Sequence, residues 1–151
     1  MNLAIIPARG GSKRIQKKNI KLFHEKPIIS YSILTAISSG LFERVIVSSD
    51  DDKIIDVSKK YGAEVLSKRS SELSDDFTPI NSVIKDVLIE LGDEALNYKN
   101  ICCIYACSPF ITTNDLINSL NIMEEFSALS CIPVAEFNSS PLRAFKIEKG
   151  N

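Results

Sequence analysis

Residues 5–19 read IIPARGGSKRIQKKN, and the interpretation of the whole chain turns on this stretch. Its start continues an apolar run from Leu3 and reads as a buried strand, Leu3–Ala8. Its second half holds two glycines and five basic residues. A buried strand that breaks into such a loop fits an α/β sheet, in which ligands bind beyond the carboxyl ends of the strands. Glycines let backbone N–H groups approach an anion closely. Arginine presents a planar fork of donors to phosphate oxygens, and lysine a point charge. The spacing is neither the GxxxxGK[ST] of a Walker loop nor GxGxxG. On spacing alone, a solvated basic loop is the competing interpretation.

The charge distribution favours a local anionic ligand. The 151 residues carry a formal net charge of −1, so bulk electrostatics favour neither nucleic acid nor a membrane surface. Residues 1–27 nevertheless hold seven Lys/Arg against one Glu, and residues 72–94 hold seven Asp/Glu against one Lys. A nucleic-acid face would interleave aromatic residues with the basic run 13–21, and only Phe23 lies nearby. Leu3–Ile6 is too short for a signal-peptide core, and no run approaches the roughly 18 apolar residues of a membrane span. Cys102, Cys103 and Cys107 sit in or beside one apolar run, and neither they nor Cys131 form a CxxC pair. They read as small buried hydrophobes in a reducing cytoplasmic protein.

Strand-like and helix-like segments alternate along the chain. After Leu3–Ala8 come a helix from Pro27 to Ser39, a strand Arg44–Ser48 and a helix Asp51–Tyr61. A short strand Ala63–Leu66, a helix Pro79–Leu91 and a strand Asn100–Ala106 follow. A helix from Thr113 to Phe126 and a strand Ala128–Val134 complete the series. Continuous apolar strands separated by helices predict a doubly wound, mostly parallel sheet with helices on both faces. The loops 9–19, 48–52, 67–78 and 106–112 then fall at the ligand-binding edge. Phe145–Ile147 reads as a strand and residues 148–151 (EKGN) as a hairpin turn whose return strand would follow; a frayed terminus is one interpretation, and a chain that is part of something longer is the favoured one.

Several motifs together resemble the acylneuraminate cytidylyltransferases. They are Ile6-Pro7-Ala8-Arg9-Gly10-Gly11-Ser12-Lys13 with Lys18-Asn19, then RVIVSSDD (44–51), YGAEV (61–65) and RSSELSDD (69–76). The resemblance runs along essentially the whole chain. Ketodeoxyoctonate cytidylyltransferases have a related opening loop. At the fourth strand, sialic acid enzymes typically read LQPTSPLR. Here Ile104-Tyr105-Ala106-Cys107-Ser108-Pro109-Phe110 is closer to the YATAPF of pseudaminic acid cytidylyltransferases, and Ser140-Pro141-Leu142-Arg143-Ala144 resembles that subgroup's PIQRA.

This resemblance implies a Rossmann-like three-layer sandwich of the nucleotide-diphospho-sugar transferase type. It implies a nucleotide-binding domain over 1–131, with a dimerisation and substrate extension beginning at 132–151. CTP and a nine-carbon 2-keto sugar acid would be the substrates and a CMP-sugar and pyrophosphate the products, with pseudaminic acid ahead of sialic or legionaminic acid. By the same resemblance Arg9 and Lys18 would be catalytic, holding phosphate oxygens. Ala8, Gly10, Gly11, Ser12, Lys13, Asn19, Arg69 and Asp76 would bind the nucleotide, and Tyr105, Ser108 and Pro109 would face the sugar. Mg²⁺ would bridge phosphates, its protein ligands lying beyond residue 151, and the full-length enzyme would be a homodimer.

Other interpretations stay open for several of these residues. Asp76 is equally a candidate N-cap for the Pro79 helix, and Asp50 for the helix at Asp51. Tyr105 is a candidate for core packing. Arg14 reads as solvated, and His24, the single histidine, has no catalytic partner in its context. The missing metal carboxylates also leave open a nucleotide-binding module without turnover.

Overall fold

The computed structural model describes residues 1–136. The readings placed on Phe145–Ile147, on residues 148–151, on Ser140–Ala144 and on most of the 132–151 extension lie outside the described residues.

β1 (Asn2–Pro7) is the central strand, and its four residues Leu3–Ile6 are fully buried. β4 (Arg44–Ser48) and β5 (Asn100–Cys103) flank it, both parallel to it. The register runs from Leu3 opposite Arg44 to Pro7 opposite Ser48, and from Asn2 opposite Asn100 to Ile5 opposite Cys103. Between β1 and β4, a two-stranded hairpin of β2 (Leu22–Phe23) and β3 (Lys26–Pro27) leads into α1 (Ile28–Ser38). α2 (Asp52–Lys60) and α3 (Ile80–Leu91) lie between β4 and β5, and α4 (Thr113–Glu125) follows.

Because side chains alternate across a strand, β1 feeds two cores. Ala4 and Ile6 join Val45 and Val47, Ile29, Ile33 and Ala36 of α1, and Ile54 of α2 on one face. Leu3 and Ile5 join Ile46, Val87 of α3 and Tyr98 on the other. The expected α/β sheet with helices on both faces is therefore present. The chain divides into two compact units, 1–118 and 119–151, with α4 passing from the first into the second.

Two expected strands did not form. Ala63–Leu66 is reduced to an isolated parallel bridge of Glu64 with Ile46, followed by another of Lys68 with Ser49. Three residues separate the bridges on the β4 side and four on the other, so an extra residue interrupts the ladder as a bulge does. Ala128–Val134 is irregular, and Leu129, Ile132 and Val134 are exposed. An apolar run becomes a strand only where a neighbour offers a free edge, and among the described residues none pairs with it. β5 also ends three residues early, at Cys103, although the Ile104 N–H still donates to Ile5 O at 3.0 Å.

With the 64–68 segment outside β4, the spatial order from that edge is third segment, β4, β1, β5. The direction of winding reverses between β1 and β5, and such sheets open a crevice at that point, beyond the carboxyl ends of the strands.

Candidate functional site

A cavity of about 850 Å³ opens at that crevice. Pro7, Ala8 and Arg9 line it from the end of β1, and Tyr105, Ala106 and Cys107 from the segment after β5. Ser12, Lys13, Arg14 and Lys18 enter from the glycine loop, and Arg69, Asp75 and Asp76 from the loop before α3. Five cationic side chains thus face two carboxylates, in a chain whose net charge is −1. The focused field suits a polyanion.

Four of the five cations have identifiable placements. Arg9 leaves the strand where the sheet stops, and its Nη1 donates to the Asp75 carbonyl at 2.8 Å and pairs with Asp76 at 2.6 Å. Lys13 pairs with the other oxygen of Asp76. Lys17 adopts a left-handed φ of 51° and starts a 3₁₀ turn, Lys18–Ile20. Lys18 lies exposed on that turn at the cavity, while Asn19 is buried at 6% exposure. Arg69 is also only 6% exposed. Its Nη1 donates to Ser48 O at 3.2 Å and its Nε to Ser74 Oγ at 3.1 Å, and Asp50 stands 3.7 Å from Nη2. Burial lowers the Arg69 pKa, and the Asp50 charge opposes that shift. A buried guanidinium with unspent donors is ready for a planar or anionic group.

Asp76 is held below the usual carboxylate range by hydrogen bonds from Lys13 and Arg9. It does not cap α3, whose N-cap is Pro79 with no side-chain cap. Asp75 instead accepts from the Phe77 and Thr78 N–H groups at 3.0 and 2.6 Å and shapes the turn before that helix. Asp51, not Asp50, caps α2, accepting from Lys53 N and Ile54 N at 2.8 and 3.1 Å.

The structure brings Ala8, Arg9, Ser12, Lys13, Lys18, Asn19, Arg69, Asp76 and Tyr105 to one cavity. Arg14, read as solvated, is exposed and also lines it. Tyr105 is 62% exposed and does not pack in the core. Gly10, Gly11, Ser108 and Pro109 are not among the lining residues. The Gly10 N–H is already spent on Asp50 Oδ1 at 2.9 Å, and Gly10 lies so close to α2 that a Cβ there would meet Asp51 Cβ at 2.8 Å. This glycine serves close packing. Cys107, read from sequence as a small buried hydrophobe, is only partly buried and lines the cavity, and Asp50, read as a candidate N-cap, accepts from Gly10 N instead; both outcomes depend on which strand ends the topology juxtaposes. Among the described residues no group of three or more His, Cys, Asp or Glu side chains is arranged to hold a metal ion. No helix among them is long and apolar enough to cross a membrane.

Comparison with known proteins agrees with this geometry. A family model described as cytidylyltransferase matches residues 3–130. The chain is 40% identical over 150 residues to a pseudaminic acid cytidylyltransferase of Campylobacter jejuni, covering 99% of this chain and 65% of that protein. It is 31% identical over 139 residues to a CMP-N,N'-diacetyllegionaminic acid synthase of Legionella pneumophila, covering 92% and 60%. Among solved structures, a CMP:2-keto-3-deoxy-manno-octonic acid synthetase complexed with CTP superposes with a TM-score of 0.70 at 21% identity. That superposition covers 85% of this chain and 49% of the other and shows the shared fold.

Proposed function

Because the chain belongs to the cytidylyltransferase family, we propose that its cavity binds the triphosphate of CTP and supports transfer of CMP to a nonulosonic acid, pseudaminic acid foremost. The supporting observation is the cluster of Arg9, Lys13, Lys18 and Arg69 at the crevice between β1 and β5. The sugar's anomeric hydroxyl attacks the α-phosphorus and gives its proton to solvent, the bond to the bridging oxygen breaks, and pyrophosphate leaves. Charge builds up on the leaving group, and Arg9, Lys13 and Lys18 are positioned to neutralise it. Arg69, buried and fixed by Ser48 and Ser74, supplies donors to the nucleoside end. Tyr105, exposed on the β5 side, offers a ring and a hydroxyl to the sugar, with Ser108 and Pro109 beyond it.

The chain spans 65% of the length of its pseudaminic relative, so turnover, dimerisation and a cytoplasmic location belong to this proposal too. So does the division into a nucleotide-binding domain, 1–131, and an extension from 132. Mg²⁺ would lower the charge on the triphosphate. Among the described residues no group of three or more His, Cys, Asp or Glu side chains is arranged for it, and Asp76 is occupied by Arg9 and Lys13.

A second reading is nucleotide binding without turnover, which the described residues leave open because they hold no cluster of three or more metal-binding side chains. Pyrophosphate release is the test, with CTP, Mg²⁺ and pseudaminic, sialic or legionaminic acid, on wild type and Arg9→Ala. Release with pseudaminic acid that falls about 10- to 100-fold in Arg9→Ala supports transfer and the clamp, the loss expected of a charge-assisted hydrogen bond. CTP binding without release with any acid supports the second reading.

A further inference from the structure

The peptide unit joining Arg9 to Gly10 is gripped on both sides by side chains, one ten residues and the other forty residues along the chain. Its carbonyl accepts from Asn19 Nδ2 at 2.9 Å. Its N–H donates to Asp50 Oδ1 at 2.9 Å. Each gripping group is held in turn. Asn19 is buried, and its Oδ1 accepts from the Cys107 thiol at 3.2 Å. Asp50 stands 3.7 Å from the buried guanidinium of Arg69.

We propose that Asp50 and Cys107 are positioning residues that fix the plane of the Arg9–Gly10 peptide and so the direction in which Arg9 leaves the strand. A peptide plane held at both its donor and its acceptor cannot rotate without breaking one of two partly buried bonds. Rotation would swing the Arg9 side chain away from the cavity. Removing the carboxylate at 50 frees the Gly10 N–H and leaves Arg69 without its nearest counter-charge. Removing the thiol leaves Asn19 Oδ1 without its donor, and the amide no longer has a fixed orientation. Burial raises the Cys107 pKa, which keeps the thiol protonated and able to donate. Asp50 does not line the cavity, so its effect is exerted through the loop.

The experiment uses the ¹⁵N-labelled 151-residue chain and its Asp50→Ala, Asp50→Asn, Cys107→Val and Cys107→Ser variants. It reads Gly10 amide exchange, the Arg9 Nε–H and Asn19 side-chain signals, and then the affinity for CTP with Mg²⁺. The Gly10 amide is protected in wild type, and its exchange quickens about tenfold or more in Asp50→Ala. Asp50→Asn, which keeps an acceptor, retains the protection. Cys107→Val shifts the Asn19 and Arg9 signals, and Cys107→Ser restores them. CTP affinity falls about 5- to 20-fold in Asp50→Ala and Cys107→Val, the range expected when a buried polar group loses its partner. Affinity returns to within about twofold in Cys107→Ser, whose hydroxyl still donates.

A freely exchanging Gly10 amide in wild type would overturn the proposal. So would an Arg9 signal unmoved by both Asp50→Ala and Cys107→Val. If Asp50→Ala does not fold, Asp50→Asn and the Cys107 pair decide by the same signals. The affinity measurement alone rests on the nucleotide reading. A wild type that binds no CTP counts against that reading, while the Gly10 and Arg9 signals still judge the positioning.

Discussion

Asp76 carries Arg9 on one oxygen and Lys13 on the other, so in the ligand-free chain a carboxylate sits where phosphate oxygens are proposed to bind. An incoming polyanion must compete with it. Asp76→Asn should therefore bind metal-free pyrophosphate about two- to fivefold more tightly, a range set by the modest strength of exposed ion pairs. Titration calorimetry reads this directly, and weaker binding would show that Asp76 orients the two cations. The same pair has an acid signature. The Asp76 pKa is depressed, so its stabilising contribution is present above the ordinary carboxylate range and is lost as pH falls through the depressed value. Acid unfolding followed by circular dichroism should lose steepness below about pH 4 in Asp76→Asn. The identities of Arg9, Lys13, Lys18, Asn19 and Arg69 could be read from motifs. Their partners could not, because the Asp76 contact closes a loop of more than sixty residues and the thiol of Cys107 looks apolar in its run.

At the level of elements, the two adjacent glycines of the loop have different duties. A Cβ on Gly10 would come within 2.8 Å of both Asp51 Cβ and Asp51 Oδ2, whereas one on Gly11 meets nothing within 4 Å. Gly10→Ala should cost about 1–3 kcal/mol, since it overpacks the loop against the residue that caps α2. Gly11→Ala should stay within about 0.5 kcal/mol of wild type. Thermal unfolding of the two variants side by side checks the contrast, and equal losses would refute the packing role. Helices were legible because their 3.6-residue periodicity and their stops at Gly40 and Gly92 are local signals; α1, α2 and α3 lie within a residue or so of the expected bounds. Ala63–Leu66 and Ala128–Val134 were not, because forming a strand depends on a neighbour's edge and register.

Across the whole molecule, stability concentrates in the central strand. Ile5→Ala, at a fully buried site between β4 and β5, should cost about 2–5 kcal/mol. Leu129→Ala, at a fully exposed site, should cost under about 0.5 kcal/mol. Urea denaturation distinguishes them, and similar midpoints would mean that the 128–134 run is buried in solution. Sheet order was legible only as a class, doubly wound and parallel; that β5 lies beside β1 depends on long-range pairing that no local pattern encodes. That adjacency has a consequence for inheritance. Positions 50 and 107 lie far along the chain from 9, 10 and 19, yet all five bear on one peptide unit. A lineage that replaces Cys107 with an aliphatic side chain strands the amide at 19, so the effect is felt at 19 and not beside 107. Substitutions at these sites should therefore be non-additive in double-mutant cycles and should travel together through descent, as a group defined by the fold.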